Sequence, residues 1–307
     1  MKINLIIIFS NINLILFSYS KASKVALIAT VKMENIYLRE FIEHYKTLEV
    51  DKIILIDNNN EEGERFEEVI FDYIQSNFVI VENYRNCKIC QYKSYQECYY
   101  KYKRKFDWLM FFDVDEYLML PNYKNVHEFL NDEIFKDFNI IHVHWIFYDD
   151  NNLIFYDNRP LQKRFTRPRH LISKNFTNNH IKSIIRTKFF KLLFTNSHTP
   201  KTRNKKYKVC DVTGTNVSNT YFSDENPAEL LNLTVPYLKH FGLRTVEEYF
   251  KFKMKRGSAT PYGNKNFEKV LSKDFFFNLN DWNVKKEFIA DCYINEYYKY
   301  YNKTNNN

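Results

Sequence analysis

The stretch Asp107-Trp-Leu-Met-Phe-Phe-Asp113-Val-Asp115-Glu116-Tyr-Leu-Met-Leu-Pro121 decides how this chain reads. Residues 108–112 form a continuous apolar run, the pattern of a strand covered on both faces. Three acids follow at once. Strand periodicity puts Asp113 and Asp115 on one side, so both carboxylates can reach one divalent cation, and hard oxygen donors suit manganese or magnesium. Asp-x-Asp is common, and exposed, solvated acids at a strand end would give the same pattern. The surrounding sequence has to separate the two.

Upstream of that stretch, strand and helix patterns alternate. Val25–Val31 reads as a buried strand, residues 36–48 as an amphipathic helix, Lys52–Asp57 as a strand, 61–75 as a helix and 78–81 as a strand. A helix over 91–104 then feeds the strand at 108. This βαβαβαβ order predicts an α/β fold with a mostly parallel sheet flanked by helices, and ligands bind beyond the carboxyl ends of such strands. Asp57 falls at one such end and the acid pair at another. The Asp57 carboxylate can hydrogen-bond a nucleoside there, or cap the next helix from its Asp-Asn-Asn-Asn turn. The second half is less regular, with strand patterns over 140–148 and 183–194 and helix patterns over 246–255 and 284–301.

With 307 residues, 45% hydrophobic and 18% aromatic, the chain has ample material for a packed core. The reading is a single folded unit over 23–307, with a nucleotide- and metal-binding half at 23–121 and an acceptor-binding half at 122–307. Its glycines, Gly63, Gly214, Gly242, Gly257 and Gly263, form neither GxGxxG nor GxxxxGK[ST], which argues against Rossmann dehydrogenases and P-loop hydrolases. Residues 1–20 read as a signal peptide or signal anchor, with membrane association through the apolar residues 3–17. Sequons at Asn175, Asn216, Asn232 and Asn302 add slight support for a secretory route. Of the cysteines, Cys87 and Cys90 form a CxxC without a second pair, which fits a local disulfide or plain packing better than zinc or redox chemistry.

The net charge of +8 is uneven. Between Asp157 and Asp211 there is no acid but 15 of the 45 Lys and Arg, so elsewhere 30 basic residues face 37 acidic ones. A basic segment facing an acidic metal site suits a phosphate-bearing substrate, with Arg164, Lys182 and Arg186 among the candidates. Attraction to an anionic membrane or to nucleic acid is the plainer alternative, and nucleic acid is not expected as a partner. His198 and His240 are candidates to complete a metal shell, although a lone histidine is more often a packing residue. His142 and His144 alternate on a strand, as a metal pair or one polar face would.

Together these residues resemble the glycosyltransferases of GT-A fold, and most closely glycosyltransferase family 92 with its family-2-like relatives. The similarity runs in order: Val31-Lys32-Met33-Glu34, Tyr37 to Tyr45, Asp57-Asn58, Gln91…Tyr95…Cys98, and Trp108 to Leu118. It continues through Trp145, Arg164-Phe165, Lys182-Ser183, His198 and His240-Phe241…Thr245…Glu248-Tyr249…Lys253…Arg256-Gly257. The resemblance implies inverting transfer of a hexose, galactose among the hexoses, from a nucleotide sugar such as a UDP-sugar to a hydroxyl of a glycan or glycoconjugate. It implies Lys32, Glu34, Asp57, Asp113 and Lys182 at the donor, catalytic Asp113 and Asp115, and a Mn2+ or Mg2+ ion on Asp113, Asp115 and His198. His240, Trp145 and Asp149 are placed at the metal or the acceptor, and the base that inversion requires is not assigned. The compartment implied is the secretory lumen or a cell envelope.

Three departures stand out. Met33 replaces the usual Asn, Phe41 the usual Trp, and Tyr148-Asp149 the usual Phe-Gly. Two other functions compete: a non-catalytic anion- or glycan-binding protein using the basic segment, and an Asp-x-Asp phosphohydrolase. The latter normally has Thr or Val after its second Asp, where Glu116 stands here.

Overall fold

The apolar run Val25–Val31 is buried along its whole length as β1, the centre of the first half of the sheet. A computed structural model describes residues 23–88, 90–169, 180–188, 191–202, 207–220, 233–256 and 273–305. The expected export segment 1–20, His170, Asn175, Arg203 to Lys206, Asn232, Gly257 and Gly263 lie outside these residues.

After β1 come α1 (Asn35–Thr47), β2 (Lys52–Asp57), α2 (Glu67–Gln75), β3 (Val79–Asn83), α3 (Gln91–Tyr102), β4 (Trp108–Phe111) and β5 (Glu116–Met119). The second half supplies α4 (Val126–Leu130), β6 (Ile140–Phe147), α5 (Leu161–Arg164), β7 (Ile181–Arg186), β8 (Leu192–Leu193), β9 (Lys201–Thr202), β10 (Val209–Asp211) and β11 (Tyr237–His240). A π-helical segment, Glu248–Lys253, runs into a last turn, Met254–Arg256; α6 (Lys273–Leu279) and α7 (Val284–Asn305) follow.

Nine strands make one sheet in the order β3-β2-β1-β4-β7-β6-β11-β5, and β10 pairs with Ile140 to His142 of β6, on the edge that β11 takes further along. Pairings of β1 with β2 and β4, of β2 with β3, and of β6 with β10 and β11 are parallel. Antiparallel neighbours are confined to β4/β7, β6/β7 and β5/β11. The expected α/β architecture, mostly parallel and flanked by helices, is therefore the one found. Apolar clusters line both faces, one gathering Leu38, Phe41, Ile42 and Tyr45 of α1 over Met110 and Phe112, the other Tyr95, Cys98 and Tyr99 of α3 over Leu109 and Phe111.

Helix α1 also carries polar ties to the strand that follows the acid pair. Tyr45 donates to the Glu116 carbonyl at 2.7 Å and accepts from the Leu118 amide at 3.1 Å, while His44 Nε2 meets the Leu118 carbonyl at 2.9 Å. These bonds fix where β5 begins, and hence the turn before it. Two expected elements differ. The helix predicted from residue 61 begins at Glu67, and the single strand predicted over 183–194 divides into β7 and β8.

Candidate active site

Strand β4 ends at Phe111, and β5 begins at Glu116. The acid pair therefore sits in the intervening turn, not on a strand, and the shared side inferred from strand periodicity does not apply. Glu116 shapes that turn by taking the Asp113 amide on its carboxylate at 2.9 Å, while its own amide donates to the Asp113 carbonyl at 3.0 Å. The two aspartates then meet different partners.

Asp113 accepts from Gln91 Nε2 at 3.1 Å and Tyr95 Oη at 3.3 Å on Oδ1, and from Lys182 Nζ at 2.6 Å on Oδ2. Lys182 is fully buried and also lies 3.5 Å from Glu116. Burial alone would strip its proton, but Asp113 and Glu116 outweigh that and hold the ammonium charged. Burial, with the neighbouring Asp113 and Asp115, pushes the Glu116 carboxyl well above its usual range against the pull of Lys182.

Asp115 is only 5% exposed, so the alternative of merely solvated acids does not describe it. His240 Nε2, Lys253 Nζ and an Arg244 guanidinium nitrogen each lie 3.7 Å from its carboxylate, and no described residue hydrogen-bonds it. Burial would raise this carboxyl; the surrounding groups reverse that and hold it well below the ordinary range. Burial lowers His240 to about 3 in spite of Asp115, so its ring is neutral and the compensating charge comes from Lys253 and Arg244. Lys253 is itself lowered to about 8, by burial first, and donates to the Gly242 carbonyl at 2.6 Å. Gly242 is required there, because a Cβ would stand 2.8 Å from His240 Nε2 and 3.1 Å from the Phe147 ring.

At the carboxyl end of β1, buried Glu34 takes Arg244 at 3.1 Å and Arg256 at 2.5 Å. Lys32 beside it is half-buried, its ammonium lowered by burial and then by Arg256, and it makes no ion pair with a described residue. Arg244 joins the two acids: φ is +59°, the guanidinium lies 3.9 Å over the Tyr37 ring, and it faces both Glu34 and Asp115. Sequence reasoning missed Arg244. It lies 210 positions from Glu34, and no local pattern marks that pairing.

Trp145 on β6 gathers the histidines. Its ring centroid is 4.3 Å from that of His240, 4.8 Å from that of His180 and 5.4 Å from that of His198, and its buried Nε1 has no partner among the described residues. His198 Nδ1 meets the Ile181 carbonyl at 2.9 Å, and burial followed by Lys182 lowers its ring to about 3. Strand alternation turns His142 and His144 to the opposite sheet face from Trp145, so they form a polar face and not part of this site.

Asp57 at the end of β2 holds Arg85 at 2.9 Å and the Asn59 amide at 3.0 Å; with α2 starting ten residues later, it caps no helix. Asp149 is sealed between Arg167 at 3.0 Å and Arg169 at 3.3 Å and is 3% exposed.

Among the described residues the basic segment does not form one face. Arg164 is bound by Glu248 at 2.7 and 2.9 Å, and Arg186 lies 4.2 Å over Trp108 and donates to the carbonyls of Phe135 and Phe138. Of the expected phosphate contacts, Lys182 alone of these three lies beside the acids, because Glu248 takes Arg164, and Trp108 with two backbone carbonyls takes Arg186. Cys87 and Cys90 are free thiols, so the expected local disulfide is not formed.

The sequence profile of glycosyltransferase family 92 matches residues 28–275. The chain belongs to glycosyltransferase family 92. It is accordingly a transferase, as the ordered resemblance implied. No curated protein matches it by sequence. Among solved structures, Staphylococcus aureus TarS 1–349 in complex with UDP-GlcNAc is similar over 88% of this chain and 79% of its own, with 9% identity and a TM-score of 0.39. The mannosyltransferase PcManGT from Pyrobaculum calidifontis, with GDP-Man and Mn2+, matches 40% of this chain and 36% of its own, with 9% identity and a TM-score of 0.29. GalNAc-T7 with UDP, GalNAc and Mn2+ matches 42% of this chain and 23% of its own, with 12% identity and a TM-score of 0.26. The chain thus spans well under half the length of the last two.

Proposed function

We propose that this family 92 glycosyltransferase moves a hexose, galactose being the first candidate, from a UDP-sugar to a hydroxyl of a glycan or glycoconjugate, with inversion and with Mn2+ or Mg2+. The observation that carries this reading is Asp115: a buried, ionised carboxylate without a hydrogen bond from any described residue, one residue from Asp113. Such a carboxylate, balanced by cations at 3.7 Å but bonded by none of them, keeps lone pairs free for a cation that arrives with the donor.

The donor set fits such an ion. Among the described residues no three His, Cys, Asp or Glu side chains converge to hold a metal alone, and hard cations of this type commonly complete their shell with substrate phosphates. Asp113 and Asp115 would hold it, with the donor phosphates completing the shell. When bound, the cation stabilises the leaving diphosphate as a Lewis acid.

The chain's own groups take the remaining tasks in this reading. Lys32, which has no acidic partner among the described residues, faces the donor phosphates from the end of β1, together with Arg256 held on Glu34. Lys182 holds Asp113 in place, and Arg244 and Glu34 do the same for Asp115. Asp57 receives the nucleoside, and the unpartnered Trp145 Nε1 offers a hydrogen bond to a sugar hydroxyl. Crowding of cations around Asp115 keeps it ionised before any donor arrives. A secretory or envelope location is part of the proposal, carried by residues 1–20; no helix of the described residues is long and apolar enough to cross a membrane.

The test is nucleoside diphosphate release by the purified protein from each common nucleotide sugar, with Mn2+ and with EDTA. Release from one donor, lost on chelation and restored by Mn2+, is expected, together with a loss of at least about 100-fold in Asp113→Asn. Release that persists undiminished in EDTA would overturn the metal assignment, and release from no donor would overturn the donor assignment.

A further inference from the structure

The CxxC pair lies against this site rather than apart from it. Cys90 is the N-cap residue of α3, is 2% exposed, and its thiol donates to the Cys87 carbonyl at 3.5 Å. Asn58, directly after Asp57, clamps the pair: its Nδ2 donates to the Cys87 carbonyl at 2.7 Å and to Cys90 Sγ at 3.4 Å. The next residue on α3, Gln91, and Tyr95 one turn later are the two donors to Asp113 Oδ1. Cys87 is half-buried and so open to a small reagent. Two free thiols three residues apart, tied together by Asn58 and by the Cys90 bond to the Cys87 carbonyl, thus sit at the joint between the β2 end and the helix that orients Asp113. The other three cysteines, Cys98, Cys210 and Cys292, are free as well and lie away from this joint.

We propose that Cys87 and Cys90 are a redox-modification site, closed to a disulfide by exchange with a low-molecular-weight disulfide such as oxidised glutathione, and that closure loosens the hold of α3 on Asp113. The Cys87 thiolate attacks one glutathione sulfur, the glutathione S–S bond breaks, and one glutathione thiolate leaves. Cys90 then gives its proton to solvent and attacks the Cys87 sulfur, expelling the second glutathione. Two protein thiols are oxidised by two electrons, and one glutathione disulfide is reduced to two thiols. Sulfur–sulfur bonding withdraws Cys90 Sγ from Asn58 and pulls on the first turn of α3, where Gln91 begins. The effect on turnover rests on the role given to Asp113 above.

The experiment equilibrates the full chain in reduced and oxidised glutathione and reads three quantities. Peptide mapping should show a Cys87–Cys90 bridge, with three free thiols left of five. Hydrogen exchange should quicken by several-fold in peptides covering the first turn of α3 and the turn at 112–115. Diphosphate release should fall several-fold and return with dithiothreitol, while Cys87→Ser and Cys90→Ser keep their activity in both buffers. Absence of the bridge overturns the proposal, and so does a bridge that leaves exchange at α3 unchanged. Bridge and exchange are read without activity, so a protein that shows both yet releases no diphosphate would overturn the donor reading and leave the redox site standing.

Discussion

At the scale of single residues, Met33 shows what a departure from the family pattern means. It stands where the family usually carries Asn, and its φ is +52°, in the left-handed region that Asn tolerates and most other side chains do not. Its amide is fixed by Asn59 Oδ1 at 2.8 Å, so the backbone cannot relax. Met33→Asn is therefore expected to stabilise the fold by about 1 kcal/mol, a rise in Tm of roughly 2–4 °C, measurable by calorimetry; an unchanged or lower Tm would refute the strain. The two acids act on buried charge alike. Asp115 is enclosed by cations, so Asp115→Asn leaves buried charge unpaired and should cost about 3 kcal/mol in urea unfolding. Asp113→Asn leaves the fully buried Lys182 with Glu116 alone at 3.5 Å and should cost a similar amount, although 31% of the Asp113 side chain is exposed. A cost well below about 1 kcal/mol for either change would contradict the pairing. That acids gather at residues 113–116 was legible in the sequence; that Glu116 folds back on the Asp113 amide, and that Arg244 serves Asp115 and Glu34, was not, since those partners are set by the tertiary fold.

Elements were legible where hydrophobic period decided them and illegible where long-range polar bonds did. Strands β1 and β2 and helix α3 start where the pattern puts them, each fixed by apolar residues at period 2.0 or 3.6. The 61–75 helix pattern fails over its first turns because Gly63 bonds back to the Asn60 carbonyl and Arg85 holds the carbonyls of Asn60, Glu61 and Glu64. A guanidinium from beyond β3 thus overrides local propensity. Likewise Arg164, expected at the phosphate, ties α5 to the π-helical segment through Glu248, which also takes the Tyr37 hydroxyl at 2.6 Å. Burial would raise Glu248, but the Arg164 bond prevails and lowers it. Arg164→Met should cost about 3–5 kcal/mol by leaving that carboxylate buried and unpaired, and Arg164→Met with Glu248→Leu should recover much of the loss. Additive losses in the double variant would show that packing, not charge, holds the two elements together.

For the whole molecule, the parallel half followed from the βαβ rhythm, whereas β7, antiparallel between β4 and β6, had no rhythm to announce it. That strand carries Lys182 to Asp113, so the two halves meet in one sheet at the site. The same enclosure leaves histidines inside, and these set a pH response. Burial lowers His44 to about 4, against its bond to the Leu118 carbonyl, and lowers His144 to about 4, against Asp211. Both folded values lie below the unfolded value of about 6.5. Between pH 6.5 and 4 the unfolded chain therefore binds more protons, so stability is full above pH 6.5 and falls as pH drops through that window. Each ring should cost about 1.4 kcal/mol for every pH step of one below 6.5, hence roughly 2 kcal/mol between pH 7 and pH 5. Urea midpoints at pH 7, 6 and 5 should decline accordingly, and His44→Gln and His144→Leu should each lessen the decline by about that amount. His198 and His240, lowered further, act with the same sign and would leave a residual slope in the double variant. A midpoint that stays constant from pH 7 to 5, or a decline unaltered by either substitution, would mean that these rings are hydrated in solution and that the sheet is less closed than its packing indicates.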